Sequence, residues 1–357
     1  MSTKPLILIT GATGHVGFRT LRVALQSNYA VRVAIRKPEQ ENQIKSVASM
    51  QPYLEHLSFI LVPDMAAPDA FSAAIKGVAY VIHVASPVPM KPDVQASLEE
   101  GKSFRQVMYD PAVKGTLEIL RAAAAEKGVK RVIITASGNI LSCTVGISGC
   151  APTDIRPCPS DEETDAVTIP GQAYKTSKIL AVTAAQKFMA EEARDFDIVI
   201  ACPGYVQGAH ELARSVEELR TSTSQATVDI AVGAALGMPP LAPPLHNQIW
   251  VEDVARAHVE ALSCPNVKAN DVLVLTGSGQ HSASWEDVGK LAQELFPKEV
   301  EDGVLQPKLD QKGFALPFDG RGTEEKLGFQ FAPASVWVKE TVAQYLQLLS
   351  SRQVPAS

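Results

Sequence analysis

The chain has 357 residues, 46% of them hydrophobic and 20% charged, with a formal net charge of −6. That is enough apolar material for a large core and corresponds to about two units of 100–200 residues, or to one large domain with a small lobe. The scattered Lys and Arg form no basic stripe for a nucleic-acid backbone and no cationic amphipathic helix for a membrane surface, so neither partner is expected.

The N-terminal apolar run is broken by Thr10-Gly11, far short of the roughly 20 residues of a membrane span, and it has no signal-type cleavage region. An untargeted, cytoplasmic protein is expected. Short apolar runs at Leu6–Thr10, Val31–Ile35, Leu57–Val62, Tyr80–Val84, Arg131–Thr135, Asp197–Cys202 and Val272–Leu275 read as strands. Helical patterns lie between them, clearest at Val16–Ser27, Ser103–Lys127, Tyr174–Glu192 and in the stretch after Asp253. Near-continuous apolar strands separated by helices describe a parallel sheet covered on both faces. The expected fold is α/β, a Rossmann-type doubly wound parallel sheet whose ligands bind beyond the carboxyl ends of the strands. Residues 1–206 with 248–276 are expected to form the dinucleotide-binding domain, and residues 207–247 with 277–357 a smaller C-terminal substrate-binding lobe.

Two insertions interrupt the rhythm, Gly138–Gln172 and Gln207–Asn247. Loops that long in a compact domain are usually functional, and both follow strand ends at the expected ligand edge, so they are expected to cover a substrate. The run Met238-Pro239-Pro240-Leu241-Ala242-Pro243-Pro244 is read as a stiff return linker rather than a ligand for a proline-binding module. Cys143, Cys150 and Cys158 fall in one loop, and Cys202 and Cys264 near element ends. A loop disulfide or a zinc site is conceivable, but with no CxxC and no histidine pair at ligand spacing, reduced thiols and no metal are expected.

The run Ile7-Leu8-Ile9-Thr10-Gly11-Ala12-Thr13-Gly14-His15-Val16-Gly17 joins a buried-type strand to a glycine-rich turn and a helix, a dinucleotide-binding signature. Gly11 allows the tight turn, Gly14 lets backbone approach a pyrophosphate, and Gly17 lets the helix pack closely, with its N-terminus facing the phosphates. After the second strand, a carboxylate would accept the 2′-hydroxyl of NAD, but this chain offers Arg36-Lys37 and no acid before Glu39. Two cations suit the 2′-phosphate of NADP, and the planar guanidinium of Arg36 is the better partner.

In Tyr174-Lys175-Thr176-Ser177-Lys178, read as the opening of a helix, an interval of four puts phenol and ammonium on one face. An unperturbed tyrosine ionises near ~10, and an adjacent ammonium is expected to lower that value and make the phenol an acid or base. Ser137, just past the strand Arg131–Thr135, stands where its hydroxyl can hold a substrate oxygen, although serines are also common turn residues.

Gly11, Gly14 and Gly17, then Ser137, then Tyr174 with Lys178 stand in the order of the extended short-chain dehydrogenase/reductase superfamily, which the chain resembles over nearly its whole length. His83-Val84-Ala85-Ser86-Pro87, Asp110-Pro111-Ala112-Val113-Lys114-Gly115-Thr116 and Pro203-Gly204-Tyr205-Val206 resemble the branch holding dihydroflavonol 4-reductases, cinnamoyl-CoA reductases and fungal ketone and aldehyde reductases. Trp250-Val251-Glu252-Asp253-Val254-Ala255-Arg256-Ala257-His258 and Lys326-Leu327-Gly328-Phe329 look like later landmarks of the superfamily.

The resemblance implies that Tyr174 protonates a carbonyl oxygen, that Lys178 tunes it and bonds the nicotinamide ribose, and that Ser137 orients the oxygen. It also implies cofactor contacts from Thr13, His15 and Val16 in the turn, from Asp64 and Met65 at the adenine, from Val84, Ala85 and Ser86 in the cleft, and from Pro203, Gly204 and Val206 beside the nicotinamide. Two departures stand out: the usual Thr-Ser-Ser run is Thr135-Ala136-Ser137, and Ala112 replaces a helix asparagine used in a proton relay. The expected function is an NADPH-dependent carbonyl reductase of a bulky, aromatic or polyketide-like small molecule in secondary metabolism. A nucleotide-sugar epimerase or dehydratase, a hydroxysteroid dehydrogenase, and a non-catalytic dinucleotide-sensing regulator are the alternatives. The intact Tyr174/Lys178 pair argues against the last, and the oligomeric state is left open.

Overall fold

The computed structural model describes residues 4–89, 91–142, 153–191, 194–236, 245–277, 283–315 and 318–351. Seven strands form where the apolar runs place them: β1 (Leu6–Thr10), β2 (Ala30–Ile35), β3 (Leu57–Leu61), β4 (Tyr80–His83), β5 (Arg131–Thr135), β6 (Asp197–Pro203) and Val272–Leu275. All pair in parallel, in the order Val272–Leu275, β6, β5, β4, β1, β2, β3. Strand alternation divides β1 between two cores. Ile7 and Ile9 pack on one face with Phe18, Leu21, Val254 and Leu273, while Leu8 packs on the other with Ile119, Val132 and Val182. Because the strand order reverses between β1 and β4, the crevice beyond their carboxyl ends opens at Gly11 and Val84.

Helix α1 (His15–Gln26) follows β1 directly and packs against the helix Val251–Glu260. Two helices depart from the sequence expectation. The helix carrying Tyr174 runs Pro170–Glu191, so Tyr174 lies in its second turn and does not open it. A proline is well suited to the first helical position, where its missing N–H leaves no bond unmade. The stretch expected to be helical from Ser103 begins with a π-helical turn, Arg105–Tyr109, before the α-helix Asp110–Ala125. Pro111 cannot donate to the carbonyl four residues back, and the widened turn before it accommodates that gap.

Of the first insertion, the described parts include a short turn at Gly138–Ile140, a bridge between Leu141 and Ile155, and the helix Asp161–Asp165 with a Ser160/Glu163 capping box. Cys143, Cys150 and the proline run Met238–Pro244 lie outside the described residues. Cys158, Cys202 and Cys264 are free thiols. A third apolar cluster gathers Ile230, Trp285, Val288, Trp337 and Val338 from the helices Gln225–Ala231, Trp285–Leu295 and Ala334–Ser351. The parallel pair Tyr205–Gln207 and Gln248–Trp250 ties the chain after β6 to the entry of the Val251–Glu260 helix. Among the described residues, no helix is long and apolar enough to cross a membrane.

A buried polar tie centres on Arg19 of α1, 2% exposed. Its guanidinium reaches Glu211 at 2.9 Å, Glu252 at 2.8 Å and Glu340 at 3.0 Å, joining four segments. Arg22 adds a second bond to Glu252. Burial alone would raise the Glu340 carboxyl, but Arg19, the Trp250 indole and the Ala209 N–H outweigh it and hold the carboxyl below its usual value. Gly208 (φ +125°) passes through this knot where a Cβ would lie 2.7 Å from Val251 Cγ1 and 2.8 Å from Glu340 Oε2.

Removing one partner of a buried ion network leaves the others uncompensated, which costs about 3–5 kcal/mol. Arg19→Leu is therefore expected to lose about that much in urea unfolding near neutral pH. The deficit is expected to shrink as pH falls through the carboxylate range, since a carboxyl depressed in the native state stabilises only above its unfolded pKa and loses that effect on protonation. A deficit below about 1 kcal/mol, or one independent of pH, contradicts the account.

Candidate active site

The glycine turn has a separate physical reason at each glycine. Gly11 has φ +77°, and a Cβ there would lie 2.7 Å from the Ala85 nitrogen, so β4's exit fixes it. Gly17 sits on the Gly11 carbonyl, where a Cβ would be 2.1 Å from the oxygen. Gly14 is different: nothing lies closer than 3.5 Å to its missing Cβ, although its N–H closes the turn onto Gly11 O at 3.0 Å. Gly14 is the N-cap of α1 and supplies no side-chain cap, so the first N–H groups of the helix face the cleft unanswered by side chains. Those donors and the open space at Gly14 fit a pyrophosphate.

One cleft of about 1200 Å³ collects Gly11, Thr13, Gly14, His15, Val16 and Gly17 with Arg36, Asp64, Met65, Val84, Ala85 and Ser86. The same cleft reaches Ser137, Tyr174, Lys178, Pro203, Gly204 and Val206. Lys37 alone of the expected set does not line it and is exposed. The Gln40 amide oxygen accepts from the backbone N–H of Arg36 at 2.8 Å and of Lys37 at 3.2 Å, fixing the turn. The Arg36 guanidinium, 51% exposed on its side chain, faces Asp93 at 3.4 Å, a partner the sequence reading did not identify. Asp64 caps its own turn by accepting from the Ala66 N–H at 2.9 Å, and Met65 packs over Gly115. His15 bonds the Ala209 carbonyl at 3.1 Å, and burial, with His210 and Arg19, holds it well below its ordinary pKa, hence neutral.

At the far end, the buried Lys178 donates to the Thr135 carbonyl at 2.7 Å and stands 5.9 Å from the Tyr174 ring. Burial pushes the ammonium down to about 8. The ammonium was expected to lower the phenol, but burial dominates and pushes Tyr174 up to about 12, with only the Ser137 hydroxyl pulling it back. Desolvation penalises phenolate more than its neighbour favours it, so the phenol is a proton donor throughout the neutral range. The Ser137 hydroxyl also accepts from the Asn139 N–H at 3.3 Å, so it holds its turn while lining the cleft.

Polar groups brace this end from behind. His258 Nδ1 donates to the Val254 carbonyl at 2.7 Å, and burial holds the ring down to about 4, so its Nε2 accepts from the Thr135 hydroxyl at 2.8 Å. His83, pushed to about 3 by burial and then by Lys178, shares a hydrogen bond with Thr10 at 2.9 Å. Thr10 also accepts from the Ala85 N–H at 3.2 Å. Cys202 is buried beside Ser137 and Lys178, with its thiol pushed up to about 12 by burial and therefore un-ionised. Ala112 is a buried alanine and brings no amide to the site. The sequence reading expected the Gln207–Asn247 insertion to cover a substrate but singled out none of the residues Asp229, Leu236, Asn247 and Trp285 that line the cleft. Among the described residues, no group of three His, Cys, Asp or Glu side chains is placed to hold a metal ion.

The sequence model described as the NAD dependent epimerase/dehydratase family matches residues 7–275. Ketoreductase CTB6 of Cercospora nicotianae is 33% identical, over 96% of this chain and 95% of its own. Cinnamoyl-CoA reductase CAD2 of Medicago truncatula is 26% identical, over 94% of both chains. The crystal structure of yeast methylglyoxal/isovaleraldehyde reductase Gre2 complexed with NADPH has the same fold, with a TM-score of 0.75 over 97% of this chain and 99% of that one, at 22% identity.

The two glycines separate fold from binding. Gly14→Ala is expected to leave the melting temperature nearly unchanged and to weaken dinucleotide binding at least about tenfold, or ~1.4 kcal/mol. Gly17→Ala forces a Cβ onto the Gly11 carbonyl and is expected to destabilise the protein by about 1–3 kcal/mol or more, as overpacking does. Thermal melts and fluorescence titration read both, and equal stability losses would remove the distinction.

Proposed function

The chain belongs to the NAD dependent epimerase/dehydratase family, and on that premise we propose that it is an NADPH-dependent carbonyl reductase, an oxidoreductase turning the ketone or aldehyde of a bulky small molecule into an alcohol. The observation that carries this reading is Tyr174 beside Ser137 and Lys178, in the same cleft as an open glycine turn. The name of the 33%-identical ketoreductase supports the choice of a ketone. In this reading residues 1–206 with 248–276 hold NADPH, and residues 207–247 with 277–357 form the substrate lobe. A cytoplasmic setting fits the free thiols at Cys158, Cys202 and Cys264, and neither nucleic acid nor a membrane is proposed as a partner.

The residues present fit the cofactor. The Gly11–Gly17 turn receives the pyrophosphate, Arg36 the 2′-phosphate, Asp64 and Met65 the adenine, and Pro203, Gly204 and Val206 flank the nicotinamide. When bound, the reduced nicotinamide supplies hydride to the carbonyl carbon. Ser137 donates a hydrogen bond to the carbonyl oxygen and holds it beside Tyr174. Tyr174 gives its phenolic proton to that oxygen as negative charge develops there. Lys178, fixed by the Thr135 carbonyl, stabilises the phenolate left behind and bonds the ribose.

Tyr174→Phe is expected to bind NADPH normally and to lose about 10²–10⁴-fold in turnover. In the wild type, kcat/KM for reduction is expected to fall as pH rises through about 8, where the Lys178 ammonium loses its proton. Lys178→Met abolishes that limb. Retained turnover in Tyr174→Phe, or the same limb in Lys178→Met, removes the assignment.

Cofactor choice is testable without a substrate. Arg36→Ala is expected to weaken NADPH by about ten- to a hundredfold, the worth of a charge-assisted bond, and to leave NADH nearly unchanged. Asp93→Asn frees Arg36 from its competing carboxylate and is expected to tighten NADPH. If fluorescence titration shows equal wild-type affinity for both cofactors, NADP is the wrong assignment.

A further inference from the structure

We propose that the side-chain amide of Asn247 is a ligand contact of this cleft, its oxygen accepting a hydrogen bond from an N–H or O–H donor held where the sheet edge meets the lobe. The residue is 5% exposed, and its Oδ1 has no hydrogen-bond partner. It nevertheless lines the cleft. Its backbone is locked in place: the Asn247 carbonyl accepts from the Tyr205 N–H at 2.9 Å. A Cβ on Gly204 would lie 2.0 Å from that carbonyl oxygen and 3.3 Å from the Asn247 Nδ2. Backbone and side chain are thus pressed against the Pro203-Gly204 turn.

The fold knows how to satisfy a buried amide nearby. Gln207 donates to the carbonyls of Val206 and Thr223, both at 3.0 Å, and accepts from the Thr227 hydroxyl at 2.6 Å. Asn247 receives no such treatment, and a buried acceptor left unpaired is costly. Lack of a partner is not sufficient in itself, since the next residue, Gln248, is also buried with both amide atoms unpaired. Gln248 does not line the cleft, however, whereas Asn247 does, and it joins that position to a buried acceptor without a partner. Two donors reach such a place, the carboxamide N–H of a nicotinamide or a hydroxyl of the substrate. The first source rests on the cofactor reading above.

The test uses the full chain with Asn247→Leu, close in volume but without polar atoms, and with Gln248→Leu as control. Four probes are titrated: NADP⁺, its 3-acetylpyridine analogue, which has no carboxamide N–H, and, on the NADP⁺ complex, 4-hydroxyacetophenone and its methyl ether. For a carboxamide donor, wild type prefers NADP⁺ over the analogue by about tenfold, and Asn247→Leu binds the two alike. For a substrate donor, Asn247→Leu keeps its NADP⁺ affinity but loses the preference for the hydroxyl probe over the ether. Either result supports the proposal when the unliganded variant melts at or above the wild-type temperature, because no buried acceptor is then left unpaired. Wild-type behaviour with all four probes overturns it. So does a lowered melting temperature with uniform weakening, or an equal effect from Gln248→Leu. Failure of wild type to bind NADP⁺ counts instead against the cofactor reading and withdraws the carboxamide source.

Discussion

The buried guanidinium of Arg19 is the constraint on which the arrangement of the molecule turns. It sits on the helix that starts at the glycine turn, and its three carboxylates come from the segment after Gly208, from the Val251–Glu260 helix and from the C-terminal helix. Two residues earlier on the same helix, Gly17 rests against the Gly11 carbonyl, so the turn and the ion knot share one rigid support. Charge satisfaction and backbone contact therefore act in series. Where α1 stands relative to β1 decides where the cleft floor stands relative to the Ala334–Ser351 helix.

The Val251–Glu260 helix explains why its polar residues belong together. The Trp250 indole bonds Glu340 at 2.7 Å, Glu252 meets Arg19, Asp253 accepts from the Ala332 N–H at 2.7 Å, and His258 anchors Thr135. Arg256 lies over the Phe329 ring at 4.0 Å, so this stretch touches the other late landmark directly. One helix braces the glycine-turn end of the cleft and, through Thr135, the carbonyl that holds Lys178. The Tyr174 end of the cleft runs on an unbalanced charge: a buried lysine held by a carbonyl, a phenol kept neutral, and histidines at 83 and 258 too dehydrated to ionise.

The sheet and the glycine turn were legible because most of their physics is local. Near-continuous apolar runs marked all seven strands of the sheet to within a residue or two, and Gly14 and Gly17 meet only Gly11 and Ala12 a few residues away, whereas the neighbour that crowds Gly11, Ala85, comes from the far-off exit of β4. Tyr174, Lys178 and Ser137 were legible as a set because helical spacing and a strand end define their places. What the sequence misread depends on distance. The direction of the Tyr174 shift is decided by burial from surrounding elements, not by the ammonium four residues on. Asp93 opposite Arg36, Cys202 beneath Ser137 and Asn247 beside Gly204 are brought in by chain segments 43 or more residues away, and no local pattern announces them. The helix start at Pro170 was missed for the opposite reason, since the proline was read as loop composition rather than as a first-turn residue.

The Arg19 knot also sets an order of events during synthesis. Arg19 and Glu340 are 321 positions apart in the chain. At translation rates of about 5–20 residues per second, on the order of 16–64 s separate their emergence. For that interval the nascent α1 carries a guanidinium whose full set of counter-charges does not yet exist, and docking against the Val251–Glu260 helix awaits Glu252 in turn. The glycine turn is thus made first and locked last, leaving its helix open to chaperones, and to premature contacts, for most of the time the chain is being made.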